Sequence, residues 1–181
     1  SKREGACLFE IWAKKNNASF TNLVIPNVYG PFGQPYYNSF IATFCHQLTH
    51  NEQPVIKVDS SVKLIYVGSL CKFIIEKIKG VRNGKIQRVE VPFDFDKKVT
   101  DVLGKLQEYK RLYLDNGFIP KLNSADDINL FNTFLCFIDH KNYFPKKLIQ
   151  KNDERGVFVE TMKTETGGQF SFSSTVPGIT R

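Results

Sequence analysis

Residues 23–40 read LVIPNVYGPFGQPYYNSF, and this stretch decides the fold. Its head continues an apolar, β-rich run, Phe20 to Ile25, short enough to be a buried strand of a parallel sheet. Pro26 and Asn27 close that strand. Residues 28–38 (VYGPFGQPYYN) form a loop, because two glycines and two prolines break any regular element. Aromatic side chains such as Phe32, Tyr36 and Tyr37 are unusual in a mere connector, so the loop packs on something or binds something. In open α/β sheets, ligands sit beyond the carboxyl ends of strands. Asn27 stands there with a donor and an acceptor, either to meet a ligand or to cap the turn. Gly30 permits close approach of the backbone.

On the N-terminal side, residues 3–16 predict an amphipathic helix, with Cys7, Leu8, Ile11 and Trp12 on one stripe and Asn16 and Asn17 ending it. On the C-terminal side, Ser39 is placed to cap a helix over 40–50, in which Phe40, Phe44 and Leu48 recur every fourth residue. Pro54 to Val58 reads as a brief extended piece, Leu64 to Val67 as a strand, and Ser69 as the cap of a helix over 70–79. Strand–helix alternation predicts an α/β domain with a parallel sheet. From 99 to 150 helical periodicity dominates, with Val99, Val102, Leu103, Leu106, Tyr109 and Leu112 on one stripe and a second helix opened by Ser124.

The pattern changes near residue 150. Residues 151–156 (KNDERG) are polar and turn-like, 157–161 reads as a strand, Gly167-Gly168 as a turn, and 169–173 (QFSFS) alternates polar and apolar. The expected organisation is therefore a domain over 1–150 and the start of a second, β-rich domain over 151–181, with a boundary at 148–155. About 30 residues are too few to close a core alone.

The composition fits a folded chain. Of 181 residues, 41% are hydrophobic and 24% charged, and sixteen are Phe. No apolar run reaches the roughly 18–20 residues of a membrane span, and no secretory segment follows Ser1. The single Met is Met162, so the chain reads as an internal piece of a longer protein. The net charge of +7 comes from scattered lysines, many beside Asn, which marks solvated surface rather than a nucleic-acid patch. Cys7, Cys45, Cys71 and Cys136 are widely spaced in apolar contexts; they read as buried free thiols of a reducing cytoplasm, not as a zinc site. His46 and His50 lie four apart on the helix over 40–50, but no third ligand is near, so they read as residues of the helix surface or as packing polar edges. His140 reads as a helix-end residue. No metal ligand is assigned within the chain.

The stretch LVIPNVYGPFGQPYYNSF resembles the strand and loop that follow the catalytic helix of extended short-chain dehydrogenases, the NAD-dependent epimerase/dehydratase family. That family opens the helix with Tyr-x-x-x-Lys, one version being Y-x-x-S-K, and the chain begins Ser1-Lys2. The resemblance makes Lys2 the catalytic lysine. Its charge would lower the pKa of a tyrosine four residues earlier, outside this chain, and its ammonium would hold the nicotinamide ribose. By position, Pro26, Asn27 and Val28 would line the nicotinamide and the sugar diphosphate. Tyr29, Tyr36, Tyr37 and Asn38 would shape the nucleotide-sugar pocket. Two departures stand out. The family's Val-Asp-Asp helix cap is Val67-Gly68-Ser69 here, and its diphosphate-binding Arg is replaced by Ser60-Ser61-Val62-Lys63, with Lys63 as the substitute.

PNVYGPFGQPYYNSFIATFCHQL together with KNDERGVFVETMKTETGGQFSFSSTVPGITR is similar to the two-domain reductase/cupin enzymes of UDP-N-acetyl-L-fucosamine synthesis for bacterial polysaccharides. The fold this implies is the C-terminal half of a Rossmann-like extended short-chain dehydrogenase domain, then the first strands of a cupin barrel. The activity implied is C3 epimerisation of a UDP-2-acetamido-2,6-dideoxy-hexulose and its C4 reduction by NADPH, or by NADH. The substrate would be a UDP-sugar, the whole protein a cytoplasmic homodimer, and zinc would be held by cupin residues beyond Arg181. This piece alone is expected to be inactive. The competing reading is a non-catalytic or degenerate sugar-nucleotide-binding relative, motivated by Gly68-Ser69 and the Lys/Asn-rich surface.

Overall fold

The computed structural model describes residues 1–80 and 84–179. The chain is an α/β fold that divides into two compact units. The first joins Ser1–Gly30 to Ser60–Lys98; the second joins Pro31–Asp59 to Val99–Arg181, described as far as Ile179.

In the first unit, α1 (Lys2–Lys15) starts on a capping box in which the Ser1 hydroxyl accepts from the Glu4 N–H. Its apolar stripe faces outward: Leu8, Phe9, Ile11 and Trp12 are all exposed, and the helix buries Ala13 instead. The strand β1 (Phe20–Val24) pairs in parallel with β4 (Ile86–Glu90), register Phe20 to Ile86. A second sheet runs β2 (Asn27–Tyr29), β3 (Ser61–Tyr66), β5 (Phe95–Lys98), parallel then antiparallel. The expected loop over 28–38 thus begins only at Gly30. The backbone of Asn27, Val28 and Tyr29 extends the sheet beside Leu64, Ile65 and Tyr66 before the glycines take over. β4 and β5 had no counterpart in the sequence reading, because IQRVE and FDKK carry no long apolar run.

The helix α3 (Val67–Lys79) follows β3 without a linker. Here the structure corrects the expected cap. Tyr66, not Ser69, is the N-cap, and it makes no side-chain cap bond. The Asp94 carboxylate accepts from the Tyr66 N–H at 2.6 Å instead, so an acid from a distant loop satisfies the backbone group just ahead of the helix. Gly68 has a packing reason. A Cβ there would lie 2.7 Å from Cε1 of Tyr66, whose ring leans on Tyr29 with centroids 5.6 Å apart. A Cβ on Gly30 would meet Val67 Cγ1 at 2.5 Å, so the loop needs glycine where it passes the helix start. The core of this unit is Ile65, Leu70 and Val91, with Leu23, Phe73 and Ile74 packed on it.

In the second unit, α2 (Phe40–Thr49) is capped by Ser39, whose hydroxyl accepts from the Ala42 N–H. Residues 54–58 are irregular rather than extended strand. The stripe read from sequence on α4 (Val99–Tyr109) is buried as expected: Val99, Val102, Leu103, Leu106 and Tyr109, continued by Leu112 in a π-helical segment, Lys110–Asp115. Tyr109 packs edge-on to Phe131 of α5 (Ala125–Leu135), which Ser124 caps. The Thr49 hydroxyl donates to the Phe137 carbonyl at 2.9 Å, fastening the end of α2 to the segment after α5. A short helix α6 (His140–Tyr143) begins at His140, so that residue is indeed at a helix end.

The last sheet comprises β6 (Phe118–Ile119), β7 (Gln150–Asp153), β8 (Gly156–Thr164) and β9 (Gln169–Thr175). The expected polar turn over 151–156 is mostly strand. Its amides and carbonyls pair antiparallel with β8 from Gln150 to Asp153, which does not require apolar side chains. β6 adds in parallel to Lys163 and Thr164, so this sheet takes strands from both sides of residue 150. Gly156 is obligatory: a Cβ would stand 2.1 Å from the Ser174 carbonyl oxygen. Every residue of β9 is exposed, Phe170 and Phe172 included. Thr180 and Arg181, the end of the PGITR motif, lie outside the described residues. No helix among the described residues is long and apolar enough to cross a membrane.

Candidate functional site

Each unit carries a cleft of its own. In the first, α1, β1 and β4 enclose about 800 Å³. Lys2 stands at its rim beside Arg3, Cys7, Glu10 and Arg88. The first turn of α1 puts Lys2 and Arg3 there, and the cations outnumber the one carboxylate, which suits an anionic group. Pro26, Asn27 and Val28 line no part of this cleft; they lie where β1 passes into β2, with Asn27 and Val28 exposed. Lys63 is exposed on β3, its ammonium 5.0 Å from the centre of the Phe93 ring.

Tyr29 behaves differently from the role the resemblance gave it. It is 2% exposed, with its ring between Tyr66 and Phe95 at 5.6 Å from each. Its neighbours in the core take the ring surface that a ligand would need, so its side chain is structural.

In the second unit, Tyr36, Tyr37 and Asn38 do come together. They line a cleft of about 700 Å³ together with Val55, Ile56 and Lys57. Phe40, Thr43, Phe44 and Gln47 of α2 line it as well. The Phe40–Phe44–Leu48 spacing predicts the helix, and within it Phe44 is buried while Phe40 and Phe44 also line the cleft. The signal that could have found the 55–57 part of the lining was the apolar-basic run Val55-Ile56-Lys57-Val58, which had been read only as extended chain.

Tyr36 is itself fixed. Its backbone is left-handed at φ 58°, its N–H donates to Thr43 Oγ1 at 2.9 Å, and its hydroxyl donates to the Glu52 carboxylate. Its ring meets His46 edge-on at 5.7 Å. The hydrogen bond to Glu52 holds the Tyr36 hydroxyl above its ordinary pKa, because ionising it would place two negative charges side by side. His46 stacks on His50 at 4.0 Å, and the His50 Nδ1 lies 2.9 Å from the His46 carbonyl oxygen. His50 is exposed, while His46 is half-buried against the Tyr36 ring.

Of the four thiols, Cys45 is buried and Cys136 half-buried, but Cys7 and Cys71 are exposed, contrary to the expectation that all four would be buried. Cys7 stands beside the exposed Leu8, and Cys71 lies on the open side of α3, whose Leu70 turns into the core. Burial raises the pKa of both Cys45 and Cys136.

Strands paired in parallel beneath a helix, with a basic cleft beside it, define an α/β fold suited to an anionic ligand. Comparison with known proteins narrows this. Residues 1–89 match the NAD dependent epimerase/dehydratase family, and residues 151–181 match the polysaccharide biosynthesis C-terminal domain. The chain is 29% identical over 160 residues to a UDP-2-acetamido-2,6-beta-L-arabino-hexul-4-ose reductase of Pseudomonas aeruginosa, covering 87% of this chain and 42% of that protein. Among solved structures it is similar to the capsular polysaccharide assembling protein CapF of Staphylococcus aureus, with 30% identity and a TM-score of 0.81 over 98% of this chain and 48% of that one. The UDP-glucose 4-epimerase of Thermotoga maritima shares the fold, at 16% identity and a TM-score of 0.60 over 75% of this chain and 51% of that one. The chain thus resembles the NAD-dependent epimerases and dehydratases over residues 1–89, and proteins of polysaccharide biosynthesis over most of its length. It spans about half the length of the relatives it matches.

Proposed function

We propose that these residues serve a sugar-nucleotide reductase/epimerase of polysaccharide biosynthesis, one that epimerises a UDP-2-acetamido-2,6-dideoxy-hexulose at C3 and reduces it at C4. The observation that carries this reading is the cleft of the second unit. Tyr36, Tyr37 and Asn38, matched by position to the family's nucleotide-sugar residues, gather in one cavity with Lys57, the combination of flat aromatic surface and positive charge that a UDP-sugar needs. The names of two relatives, a UDP-hexulose reductase and a capsular polysaccharide assembling protein, support the same substrate class.

The proposed division is a reductase segment over 1–150 and the opening of a cupin-like β domain over 151–181. The second part draws support from the match at 151–181 and from the apolar residues of β9, which a further layer would cover. A nicotinamide cofactor, NADP or NAD, would supply hydride to the C4 carbonyl. Lys2 is exposed at the head of α1 beside Arg3 and Arg88, which fits a group bearing phosphates and ribose hydroxyls. There its ammonium would donate to a ribose hydroxyl and stabilise a neighbouring phenolate, easing proton transfer to the developing sugar alkoxide. Pro26, Asn27 and Val28 would border the nicotinamide. Lys63, held over Phe93, would meet the diphosphate. Zinc does not fit the residues present, since among the described residues no group of three His, Cys, Asp or Glu could hold a metal. A homodimer in the cytoplasm completes the proposal, with the exposed Leu8, Phe9, Ile11 and Trp12 of α1 as the face a second copy would cover.

The experiment is NADPH oxidation by the full-length natural protein with a UDP-4-keto-6-deoxy-N-acetylhexosamine, comparing the wild type with Lys2→Ala. A loss of about 10²- to 10⁴-fold in kcat with UDP affinity kept is the expected result. UDP binding without any oxidation by the wild type would favour the non-catalytic reading.

A further inference from the structure

The residue that organises the wall of the second cleft is one that no motif marks. Tyr36 opens that wall and Tyr37 and Asn38 continue it, yet Tyr36 has φ 58°, a backbone conformation that a tyrosine adopts only when its surroundings enforce it. Three contacts enforce it. Thr43 Oγ1 takes the Tyr36 N–H at 2.9 Å, and the edge of the ring meets His46 at 5.7 Å. The Glu52 carboxylate accepts the proton of the Tyr36 hydroxyl. Thr43 and His46 belong to α2; Glu52 lies just beyond it, where the Glu52 N–H donates to the Gln47 carbonyl at 2.8 Å and so ties its backbone to the helix end. His46 Nε2 approaches the other carboxylate oxygen at 4.0 Å. Glu52 is therefore held from behind and Tyr36 from in front.

We propose that Glu52 is a positioning residue. Through the Tyr36 hydroxyl it locks the left-handed turn that presents Tyr37 and Asn38 to the cleft, and it touches no ligand itself. Glu52 is absent from the cleft lining, whereas Tyr36, Tyr37 and Asn38 are all part of it. Its importance for UDP-sugar binding rests on the function proposed above; the locking of the turn does not. The charge of the acceptor makes this hydrogen bond stronger than a neutral one. Tyr37 is 77% exposed, so its peptide is open to a protease as soon as the turn loosens.

The test compares the wild-type chain with Glu52→Ala, Glu52→Gln and Tyr36→Phe. Native-state chymotryptic cleavage after Tyr37 is followed by mass spectrometry, UDP affinity by calorimetry, and the unfolding midpoint alongside. Glu52→Ala and Tyr36→Phe are expected to speed cleavage by about tenfold and to weaken UDP binding several-fold, with little change in midpoint. Glu52→Gln should keep most of both, because its amide oxygen still accepts from the hydroxyl. Cleavage rates within about twofold of wild type in both Glu52→Ala and Tyr36→Phe would overturn the proposal, and so would faster cleavage with unchanged UDP affinity. If the wild type binds no UDP while cleavage still accelerates in the variants, the lock stands and the sugar-nucleotide reading falls.

Discussion

Gly68→Asp restores to α3 one of the two acids that the resemblance would place there, and it should nevertheless destabilise the protein. The added Cβ would lie 2.7 Å from Tyr66 Cε1 and 3.0 Å from Cδ1, so the ring must move. Tyr66 is half-buried and leans on Tyr29, which in turn meets Phe95, so displacing it forfeits an aromatic contact worth about 0.5–1.5 kcal/mol. Overpacking adds a cost of about 1–3 kcal/mol if the ring cannot swing clear. On the other side, replacing a helical glycine gains about 0.3 kcal/mol for Asp, and an acid in the first turn gains about 0.3–1 kcal/mol. That second gain is reduced because Asp94 already accepts from the Tyr66 N–H at the same helix start. The net expectation is a loss of about 1–2 kcal/mol. Urea unfolding followed by the fluorescence of Trp12, the single tryptophan and a member of the same compact unit, reads this directly. Gly68→Ala, which gains about 1 kcal/mol of propensity and adds no charge, should fall between wild type and Gly68→Asp. A Gly68→Asp protein as stable as wild type would refute the reasoning, since it would mean that the Tyr66 ring yields freely and that glycine is not required there.

Leu106→Ala, at a side chain with no exposed surface, should cost about 2–5 kcal/mol in urea unfolding followed by circular dichroism. With a disulfide-exchange reagent, the exposed Cys7 and Cys71 should react fast, while Cys45, whose thiol burial holds in its protonated form, should react only on unfolding. Glu160 is held below the usual glutamate range, first by its hydrogen bond from Lys163 and then by the charge of Lys151. Its folded pKa is the lower one, so its contribution is present above the unfolded value of about 4.3 and is lost as pH falls through the folded value. Glu160→Gln should therefore melt lower than wild type near neutral pH and converge with it in acid.

What was legible in the sequence was whatever depends on local order along the chain. The α4 stripe from Val99 to Leu112, the Ser39 and Ser124 caps and the β1 strand all follow from neighbours in sequence, and the structure has them. What was missed depends on partners remote in sequence. IQRVE becomes β4 only because β1 lies open beside it, and KND becomes β7 only because β8 folds back along it. Ser69 was chosen as a cap because a hydroxyl before an apolar run is the local signal, but Asp94, 28 residues beyond Tyr66, had already taken the backbone donor at which the helix starts. The site shows the same division. That the loop of Tyr36 and Tyr37 packs on something was readable because the loop is anomalous in itself, rich in aromatics between prolines and glycines, whereas the pocket role of Tyr36, Tyr37 and Asn38 is implied by the family resemblance alone. Glu52 was not readable, since an acid between Asn51 and Gln53 looks like any solvated turn until the fold brings the Tyr36 hydroxyl to it across sixteen residues. Tyr29 errs in the opposite direction. It shares the loop's composition, and only the sheet position opposite Tyr66 turns it from a candidate ligand contact into a core side chain. A motif therefore marks the segment that forms a wall of the site, while the residues that hold the wall in place follow from tertiary pairing alone.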